Sequence, residues 1–268
     1  MIANSMQHTI GCASDKSAIR QAFSKAANTY DQHAEFQRQV GHLLLEKLPC
    51  NLSGKVIVDL GCGTGYFSQQ LLARGAEVIC VDISPQMLLK AQQRCGNANI
   101  HYVCMDAESL CLPAKSVDYV FSSLALQWCH RLETPFAQIR RVLKPNGQAL
   151  FATLMEGSLH ELKTAWRKVD QYQHVNHFHS HIQVKIALAQ AECERYHLNW
   201  PNITMWYPSA FELMRDLKGI GANHVSGRAS GLTGRRTLLE LEQAYQEVRN
   251  DKGLLPATYH LCLGVIYR

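Results

Sequence analysis

The sequence lacks several patterns that identify whole classes of protein. Its 10 cysteines include no C-x-x-C pair, and their scattered positions fit small apolar fillers better than a disulfide framework or a zinc site. It has no dense block of lysine and arginine, and a net charge of +5 is too small to indicate nucleic-acid binding. No apolar segment approaches the length of a membrane span, and residues 1–20 contain no signal-peptide core. These absences favour a cytoplasmic protein with neither a nucleic-acid nor a membrane partner.

Apolar residues make up 47% of the chain and charged residues 18%, which suits a protein with a sizeable core. Short β-branched runs alternate with helical periodicity in the first half, and this rhythm predicts a doubly wound parallel sheet. The predicted strands there are 55–60, 77–82, 100–106, 116–123 and 148–154. The second half predicts helices over 159–173, 182–196, 210–218 and 237–249, and strands over 203–207 and 256–268. The last strand is expected to be an antiparallel edge strand.

The stretch from Lys55 to Gly65, KVIVDLGCGTG, organises the rest of the chain. A strand, a tight glycine turn and a helix N-terminus make a nucleotide-type site, where the backbone turns sharply and a ligand can approach it closely. Asp59 would repel a pyrophosphate, but it would attract a ligand that carries an amino group and a sulfonium. The spacing G-x-G-x-G also lacks the third glycine of the dinucleotide fingerprint. Both details argue against the rival interpretation, a nicotinamide oxidoreductase.

Two further acids end the next two predicted strands. Asp82 lies at the spacing from the glycine turn where an acid takes ribose hydroxyls in α/β nucleotide sites, and Asp106 ends the third strand. Met87 is placed to touch an adenine face, although core packing explains it nearly as well. Each acid alone could be a turn or capping residue. Together with Asp59 they favour one ligand lying across the carboxyl ends of the strands.

This pattern resembles the first motif of the class I S-adenosylmethionine-dependent methyltransferases. The resemblance implies an α/β, Rossmann-like fold with a mostly parallel seven-stranded sheet, helices on both faces and a helical lid. It implies S-adenosyl-L-methionine as cofactor and S-adenosyl-L-homocysteine as product, with Asp106 and Ala107 at the adenine amino group. The expected cofactor-binding residues are Asp59, Gly61, Gly63, Gly65, Asp82, Met87, Asp106, Ala107 and Ser123. The expected division is a lid (1–50), a cofactor-binding core (51–154), a helical insertion (155–200) and a C-terminal part completing the sheet (201–268).

Motifs outside the cofactor region narrow the methyl acceptor. No Asn/Asp-Pro-Pro-Tyr box follows the fourth strand, which counts against a base-modifying enzyme. Cys129 follows a tryptophan and not a proline, so we interpret it as structural. The turn at 141–147, RVLKPNG, resembles the RVLKPGG turn of small-molecule methyltransferases, and Asn146 can replace glycine because it accepts left-handed backbone.

Three stretches, taken with residues 23–37, resemble one family: LALQWC at 124–129, HVN at 174–176 and LMRDLKGIGANH at 213–224. GLTGR at 231–235 and PATY at 256–259 fit the same family. The family is the malonyl-acyl-carrier-protein O-methyltransferases of biotin synthesis, and the resemblance covers roughly residues 16–268. It implies methyl transfer to the free carboxylate of a malonyl thioester on an acidic acyl carrier protein, or on malonyl-CoA. A methyltransferase for another small acceptor, such as a quinone precursor or a free carboxylic acid, is the nearest rival. A protein that binds the cofactor without turnover is another.

A carboxylate is already ionised at neutral pH, so this reaction needs no general base. Selection of malonyl over acetyl does require a cationic or multi-donor site for the carboxylate. Arg215 is the first candidate, with Tyr30 and Gln127 next, while Trp128 and His224 are candidate pocket walls. Arg215 fits a surface cation equally well, and Tyr30 fits helix packing equally well.

The histidine-rich link at 174–181 is not assigned to a metal, because no cysteine or acid completes a familiar ligand spacing. An acidic carrier protein would need a basic receiving surface. The candidates for that surface are Arg140, Arg141, Lys163, Arg167, Lys168, Arg228, Arg235 and Arg236.

Overall fold

One mixed β-sheet runs through residues 16–222 and 234–268, which are the residues that the computed structural model describes. Its eight strands are β1 (Val56–Leu60), β2 (Glu77–Asp82), β3 (Ile100–Cys104), β4 (Val117–Ser123), β5 (Leu143–Leu154), β6 (Arg195–Asn199), β7 (Asn202–Tyr207) and β8 (Leu255–Tyr267). They lie in the order β3-β2-β1-β4-β5-β8-β6, and β7 also pairs with β8. Strands β1 to β5 are parallel, whereas β8 is antiparallel to β5, β6 and β7. The strand order reverses between β1 and β4, which is where such sheets bind ligands.

Helices connect and cover the strands. They are α1 (16–26), α2 (Tyr30–His33), α3 (Glu35–Leu45), α4 (Tyr66–Ala73), α5 (Pro85–Cys95), α6 (Glu133–Val142), α7 (His160–Val169), α8 (His181–Gln190), α9 (Ala210–Gly219) and α10 (Arg235–Tyr245). Short 3-10 turns lie at Leu126–Trp128 and Gln246–Val248. No helix in the described ranges is long and apolar enough to cross a membrane.

Alternate residues of the central strands belong to two hydrophobic clusters, so both faces of the sheet are buried. Ile57 and Phe121 pack into one cluster, with helices such as α3 and α7. Their neighbours Val58 and Val120 pack into the other, with α6 and α8. This arrangement explains why the central strands are almost continuously apolar.

Several local predictions are confirmed. Ser84 caps α5, because its side chain accepts a hydrogen bond from the Met87 N–H and Pro85 follows at the first helical position. Gly75 follows the end of α4 with a φ of +90°. Asn146 has a φ of +65°, as expected for a residue that replaces glycine in a left-handed position, although it lies within the long β5 and not in a separate turn.

The sheet has one more strand than the predicted seven. The predicted helix over 182–196 ends at Gln190, and residues Arg195–Asn199 form β6 instead. This segment pairs with the apolar stretch 263–267 at the end of β8, a distant partner that local periodicity does not reveal. As a result β8 is not an edge strand, since β5 lies on one side and β6 and β7 on the other.

Candidate active site

A cavity of about 710 Å³, here called the edge cavity, lies at the carboxyl ends of β1, β2 and β4. Seven predicted cofactor residues line it: Gly61, Gly63, Asp82, Met87, Asp106, Ala107 and Ser123. Helices α1 and α2 add Lys16, Ile19, Phe23 and Tyr30 to its wall. The structure therefore brings most of the predicted cofactor residues together.

Asp82 is pre-oriented by two backbone donors. The Gly63 N–H donates to Oδ2 at 2.9 Å, and the Ser84 N–H donates to Oδ1 at 2.8 Å. Burial raises the pKa of Asp82 to about 6, and these backbone hydrogen bonds oppose the rise. Both carboxylate oxygens keep a free lone pair, so Asp82 can accept hydrogen bonds from two adjacent hydroxyls, such as those of a ribose.

A second cavity of about 480 Å³, the loop cavity, lies beside the glycine turn. It shares Tyr30, Gly61, Gly63 and Ser123 with the edge cavity, so the two adjoin. The Ser123 Oγ is buried and has no hydrogen-bond partner among the described residues. An unpaired buried hydroxyl costs about 1–3 kcal/mol, and a polar ligand spanning the two cavities would satisfy it.

Asp59 lines the loop cavity and is only 3% exposed. The Ser68 hydroxyl donates to its Oδ2 at 2.5 Å. Burial is the main reason that the pKa of Asp59 rises to about 7, and the Asp82 carboxylate adds to the rise. An adjacent cation favours the ionised form of a carboxyl group, so Asp59 suits a ligand with an ammonium group.

Gly65 has a packing role. It lines neither the edge nor the loop cavity, and it begins α4 with a φ of +79°. A Cβ at this position would lie 2.8 Å from the Ala91 Cβ on α5. The absent side chain allows α4 and α5 to pack closely, and this placement gives no support to the predicted cofactor contact.

Helix α1 is fastened over the edge cavity by polar contacts. The Lys16 ammonium donates to Asp106 Oδ1 and Oδ2 at 2.7 and 2.6 Å and also pairs with Glu108. The hydroxyls of Ser24 and Ser84 hydrogen-bond at 2.9 Å. An adenine amino group at Asp106 would therefore share this carboxylate with Lys16.

A third cavity of about 700 Å³, the helix cavity, adjoins the edge cavity. The two share Phe23, Tyr30, Leu124 and Trp128. The rest of its wall is mainly apolar and includes Phe36, Leu154, Leu159, Val175, Phe178, Leu217, Ile220 and Tyr259. Leu124 has a φ of +55°, a strained backbone position of the kind that clusters at functional sites.

Tyr30 lines all three cavities. Its hydroxyl has no hydrogen-bond partner among the described residues, and burial raises its pKa, so the phenol stays protonated and can donate. The next residue, Asp31, accepts hydrogen bonds from the Thr64 hydroxyl and from Arg94 Nη2, both at 2.6 Å. This network ties α2 to the glycine turn and fixes Tyr30 at the junction of the cavities.

Gln127 lines the helix cavity from the 3-10 turn after β4. Its Nε2 donates to the Leu124 carbonyl at 2.8 Å, and its Oε1 accepts a hydrogen bond from the Thr153 hydroxyl at 3.4 Å. Nearby, burial raises the pKa of Cys129 to about 12. Its thiol is therefore neutral at physiological pH, which agrees with a structural role.

The structure does not bring Arg215 together with Tyr30 and Gln127. Its side chain is 64% exposed on α9 and pairs with Glu212 Oε1 at 3.2 Å. It lines an open groove between α1, α2 and α9, which we call the cationic groove because it also contains Lys25 and Lys218. Its position gives no support to direct contact with a carboxylate in the helix cavity. The candidate wall residue His224 lies outside the described residues.

The histidine-rich link supplies a packing residue. The ring of His174 stacks on Trp166 at a centroid distance of 3.6 Å, and its Nε2 hydrogen-bonds with the Asp170 carboxylate at 2.8 and 2.9 Å. Among the described residues, no group of three or more histidine, cysteine or acidic side chains could hold a metal ion.

Sequence reasoning missed three polar residues of the site. Lys16 lines the edge cavity, Arg38 lines the loop cavity, and Gln37 lines both the loop and the helix cavity. Helical spacing gave no signal for Gln37, because α2 ends at His33 and Gln37 belongs to the next helix, α3. Lys16 gave no signal, because its partners Asp106 and Glu108 are some 90 residues away in the chain.

A sheet that reverses between β1 and β4, with a glycine turn and acids at its strand ends, defines the class I methyltransferases. Residues 58–151 match the family described as methyltransferase domain. The solved structure of the YcgJ protein from Bacillus subtilis superposes with a TM-score of 0.62 and 16% identity, over 86% of this chain and 98% of that chain. At this identity the likeness shows the fold alone, and it confirms the predicted fold class.

Sequence relatives identify the family. A malonyl-acyl-carrier-protein O-methyltransferase of Serratia marcescens is 44% identical over 255 residues, which cover 95% of this chain and 96% of that protein. The biotin biosynthesis bifunctional protein BioHC of Cellvibrio japonicus is 42% identical over 254 residues, or 94% of this chain, and the match spans 50% of its length. The chain belongs to the malonyl-acyl-carrier-protein O-methyltransferase family, as its sequence motifs predicted.

Proposed function

We propose that this protein transfers a methyl group from S-adenosyl-L-methionine to the free carboxylate of a malonyl group on an acyl carrier protein. The main observation in support of this proposal is that two chemically different cavities adjoin each other. The edge and loop cavities form one cleft at the strand ends, here called the polar cleft because the three acids Asp59, Asp82 and Asp106 line it. At Tyr30 this cleft meets the helix cavity, whose described lining includes no acid, lysine or arginine. The cleft suits a charged nucleotide-like cofactor, and the helix cavity suits an acyl group.

The polar cleft fits S-adenosyl-L-methionine group by group. Asp59 would hold the ammonium, Asp82 the ribose hydroxyls, and the unpaired Ser123 hydroxyl would gain a partner. Arg38 lines the loop cavity near Asp59, where its guanidinium suits the carboxylate of the methionine part. Met87 is only 1% exposed and lies along the edge cavity, so it serves both core packing and an adenine face.

When bound, the cofactor would supply an activated methyl group to a malonyl carboxylate oxygen, and the electron pair of the broken C–S bond would remain on the sulfur. The acceptor is already ionised, so no side chain has to remove a proton. The protein's contribution is to align the reactants and to exclude water.

Phe23 and Trp128 lie in the wall shared by the edge and helix cavities, with ring centroids 5.3 Å apart. We propose that residues 16–45 act as a lid that closes this junction.

The deciding experiment follows labelled methyl from S-adenosyl-L-methionine to malonyl-carrier protein, with acetyl-carrier protein as control. We expect label on the malonyl form only, released by mild base as expected for a methyl ester. Label on neither protein, despite measurable cofactor binding, would reject the substrate and favour another small acceptor.

The cationic groove is the best-placed surface for an acidic carrier protein. Lys25, Arg215 and Lys218 line it, and helices α1 and α9, which carry them, also supply walls of the helix cavity. Four of the cations predicted for this role have partners elsewhere, and two of these are Arg140, which pairs with Glu192, and Arg236, which pairs with Glu240. Arg141 donates to the carbonyls of Leu110 and Leu112, and Lys168 pairs with Glu247. Arg228 lies outside the described residues.

Reversing charge in the groove tests this docking site. For Lys25→Glu/Lys218→Glu we expect KM for malonyl-carrier protein to rise about tenfold at low salt, because steering of a charged partner depends on such cations. The malonyl thioester of N-acetylcysteamine has no carrier, so its KM should not change. Lys185→Glu, an exposed charge reversal on α8, is the matched control. Equal effects on both acceptors would argue against the groove.

The nine described cysteines are unpaired. Free thiols are typical of reducing compartments, and this supports the proposal that the protein works in the cytoplasm. Cell fractionation with an antibody against the native chain would test it, and recovery outside the cytoplasmic fraction would contradict it.

A further inference from the structure

Gln37 is a half-buried glutamine that lines two adjoining cavities. It lies on the first turn of α3, and its Oε1 is buried without a hydrogen-bond partner among the described residues. The whole amide makes no hydrogen bond to the rest of the described chain. A group left in this state costs stability, so a bound ligand is the simplest account of its presence. The amide oxygen and nitrogen can exchange places by rotation of the last side-chain torsion, so either can face that ligand.

The position of Gln37 points to one particular ligand group. Of the described residues lining the helix cavity, Tyr30 and Gln37 also line the loop cavity. The loop cavity contains Asp59 and the glycine turn, where the methionine part of the cofactor belongs. The helix cavity is the one that suits the acyl group. These two side chains therefore lie between the proposed cofactor site and the proposed acyl site, where the methyl group would be transferred.

The helix cavity offers no cation to pair with an acceptor carboxylate. Among its described lining residues there is no lysine or arginine. Its one histidine, His174, is stacked on Trp166 and bonded to Asp170. The polar groups that remain are neutral amides and hydroxyls and the Trp128 indole N–H. Among these amides and hydroxyls, those of Tyr30 and Gln37 have no other partner in the described chain.

We propose that Gln37 and Tyr30 form a charge-neutral carboxylate subsite that binds the methyl-accepting malonyl carboxylate. The inference rests on the proposed function. Two neutral donors recognise a carboxylate by hydrogen bonds, yet they leave more charge on the attacking oxygen than a bidentate arginine would. The methyl ester product is uncharged and loses the charge-assisted part of these bonds. The same subsite thus selects the free acid and releases the ester.

The test uses two substitutions of similar size in the full-length protein. Gln37→Met removes the donor, and we expect KM for malonyl-carrier protein to rise about ten- to a hundredfold, the usual worth of a hydrogen bond to a charged group. The value of kcat should change much less, because the carboxylate loses its charge in the transition state. The melting temperature should hold or rise, since an unpaired buried group is gone. Gln39→Met, an exposed neighbour on α3, is the control.

The Gln37→Glu variant gives a second test, because its KM should depend on pH only if residue 37 faces the substrate carboxylate. The introduced carboxylate would repel the substrate at pH 8, and KM should fall towards the wild-type value as that carboxylate takes up a proton at lower pH. This pH profile is measured within one folded variant, so it tests whether residue 37 faces the substrate carboxylate even if Gln37→Met folds poorly. Binding of S-adenosylhomocysteine should stay unchanged in both variants.

Three results would overturn the subsite. They are wild-type KM in Gln37→Met, a pH-independent KM in Gln37→Glu, and a loss of S-adenosylhomocysteine affinity without a change in KM, which would assign Gln37 to the cofactor. Failure of the wild-type protein itself to methylate malonyl-carrier protein would instead reject the proposed function. The two failures are therefore distinguishable.

Discussion

Asp59→Asn should weaken cofactor binding by about 2–4 kcal/mol, or roughly 30- to 1,000-fold in Kd. The carboxylate is buried beside the glycine turn, and in the proposed complex it meets the cofactor's ammonium. The amide is the same size and can still accept the Ser68 hydrogen bond, but it carries no charge. Calorimetric titration with S-adenosylhomocysteine measures the change without turnover.

The same substitution should stabilise the ligand-free protein near pH 8. Burial raises the pKa of Asp59 from 3.8 to about 7, so the unfolded chain releases this proton at a lower pH than the folded one. Between about pH 4 and 7 the wild-type protein therefore loses stability as pH rises, with the full loss present above pH 7. The Asp59→Asn variant has no carboxyl group to ionise at this position, so it keeps this stability above pH 7. Cofactor affinity of the wild type should rise over the same approach to pH 7, because only ionised Asp59 attracts the ammonium.

Asp118→Asn is a control variant for which we expect the opposite change in folding stability. Asp118 accepts hydrogen bonds from the Lys144 ammonium at 2.7 Å and the Val56 N–H at 3.0 Å. Despite partial burial, these bonds hold the pKa of Asp118 below its usual value, so its ionised form stabilises the fold. Asp118→Asn should lower the melting temperature at pH 7 and leave the Kd for S-adenosylhomocysteine unchanged. Destabilisation of both variants would contradict the account of Asp59.

Gly61→Ala is expected to lower the free energy of unfolding by about 2–5 kcal/mol and to abolish methyl transfer. Gly61 has a φ of +76°, and a Cβ there would lie 2.3 Å from the Ala125 Cβ. Ala125 has no flexible side chain to move aside, so the glycine turn or the segment after β4 must shift. Both line the edge cavity. Chemical denaturation measures the stability loss, and labelled methyl transfer measures the activity.

The Gly54→Ala variant measures the stability cost of backbone strain alone, without a steric clash. Gly54 has a similar φ of +73°, but no atom lies within 4 Å of the Cβ position. It should cost only the strain of left-handed backbone, about 1–2 kcal/mol, and keep full activity. An equal loss of stability in the two variants would mean that the collision with Ala125 is relieved at no cost.

Local chemistry explains which parts of the fold could be predicted. The parallel strands β1 to β4, the Ser84 cap and the left-handed Asn146 follow from residue types within a few positions of one another. Strand β6 was missed because its partner, residues 263–267, lies some 70 positions away. The strand-end acids were predictable for a related reason, since parallel strands carry their carboxyl ends to one edge of a sheet.

The sequence by itself determined the class of fold, the cofactor and the family, because a glycine turn with strand-end acids and the 213–224 stretch are contiguous motifs. The tertiary structure alone decided which side chains meet around the helix cavity, the proposed acceptor site. It placed Arg215 in an exposed groove and Gln37 at the junction of two cavities. The physical reason is that the cofactor motif lies within one chain segment, whereas the helix cavity is assembled from segments that include α1, α3, α9 and the residues after β4. Their mutual distances follow only from packing.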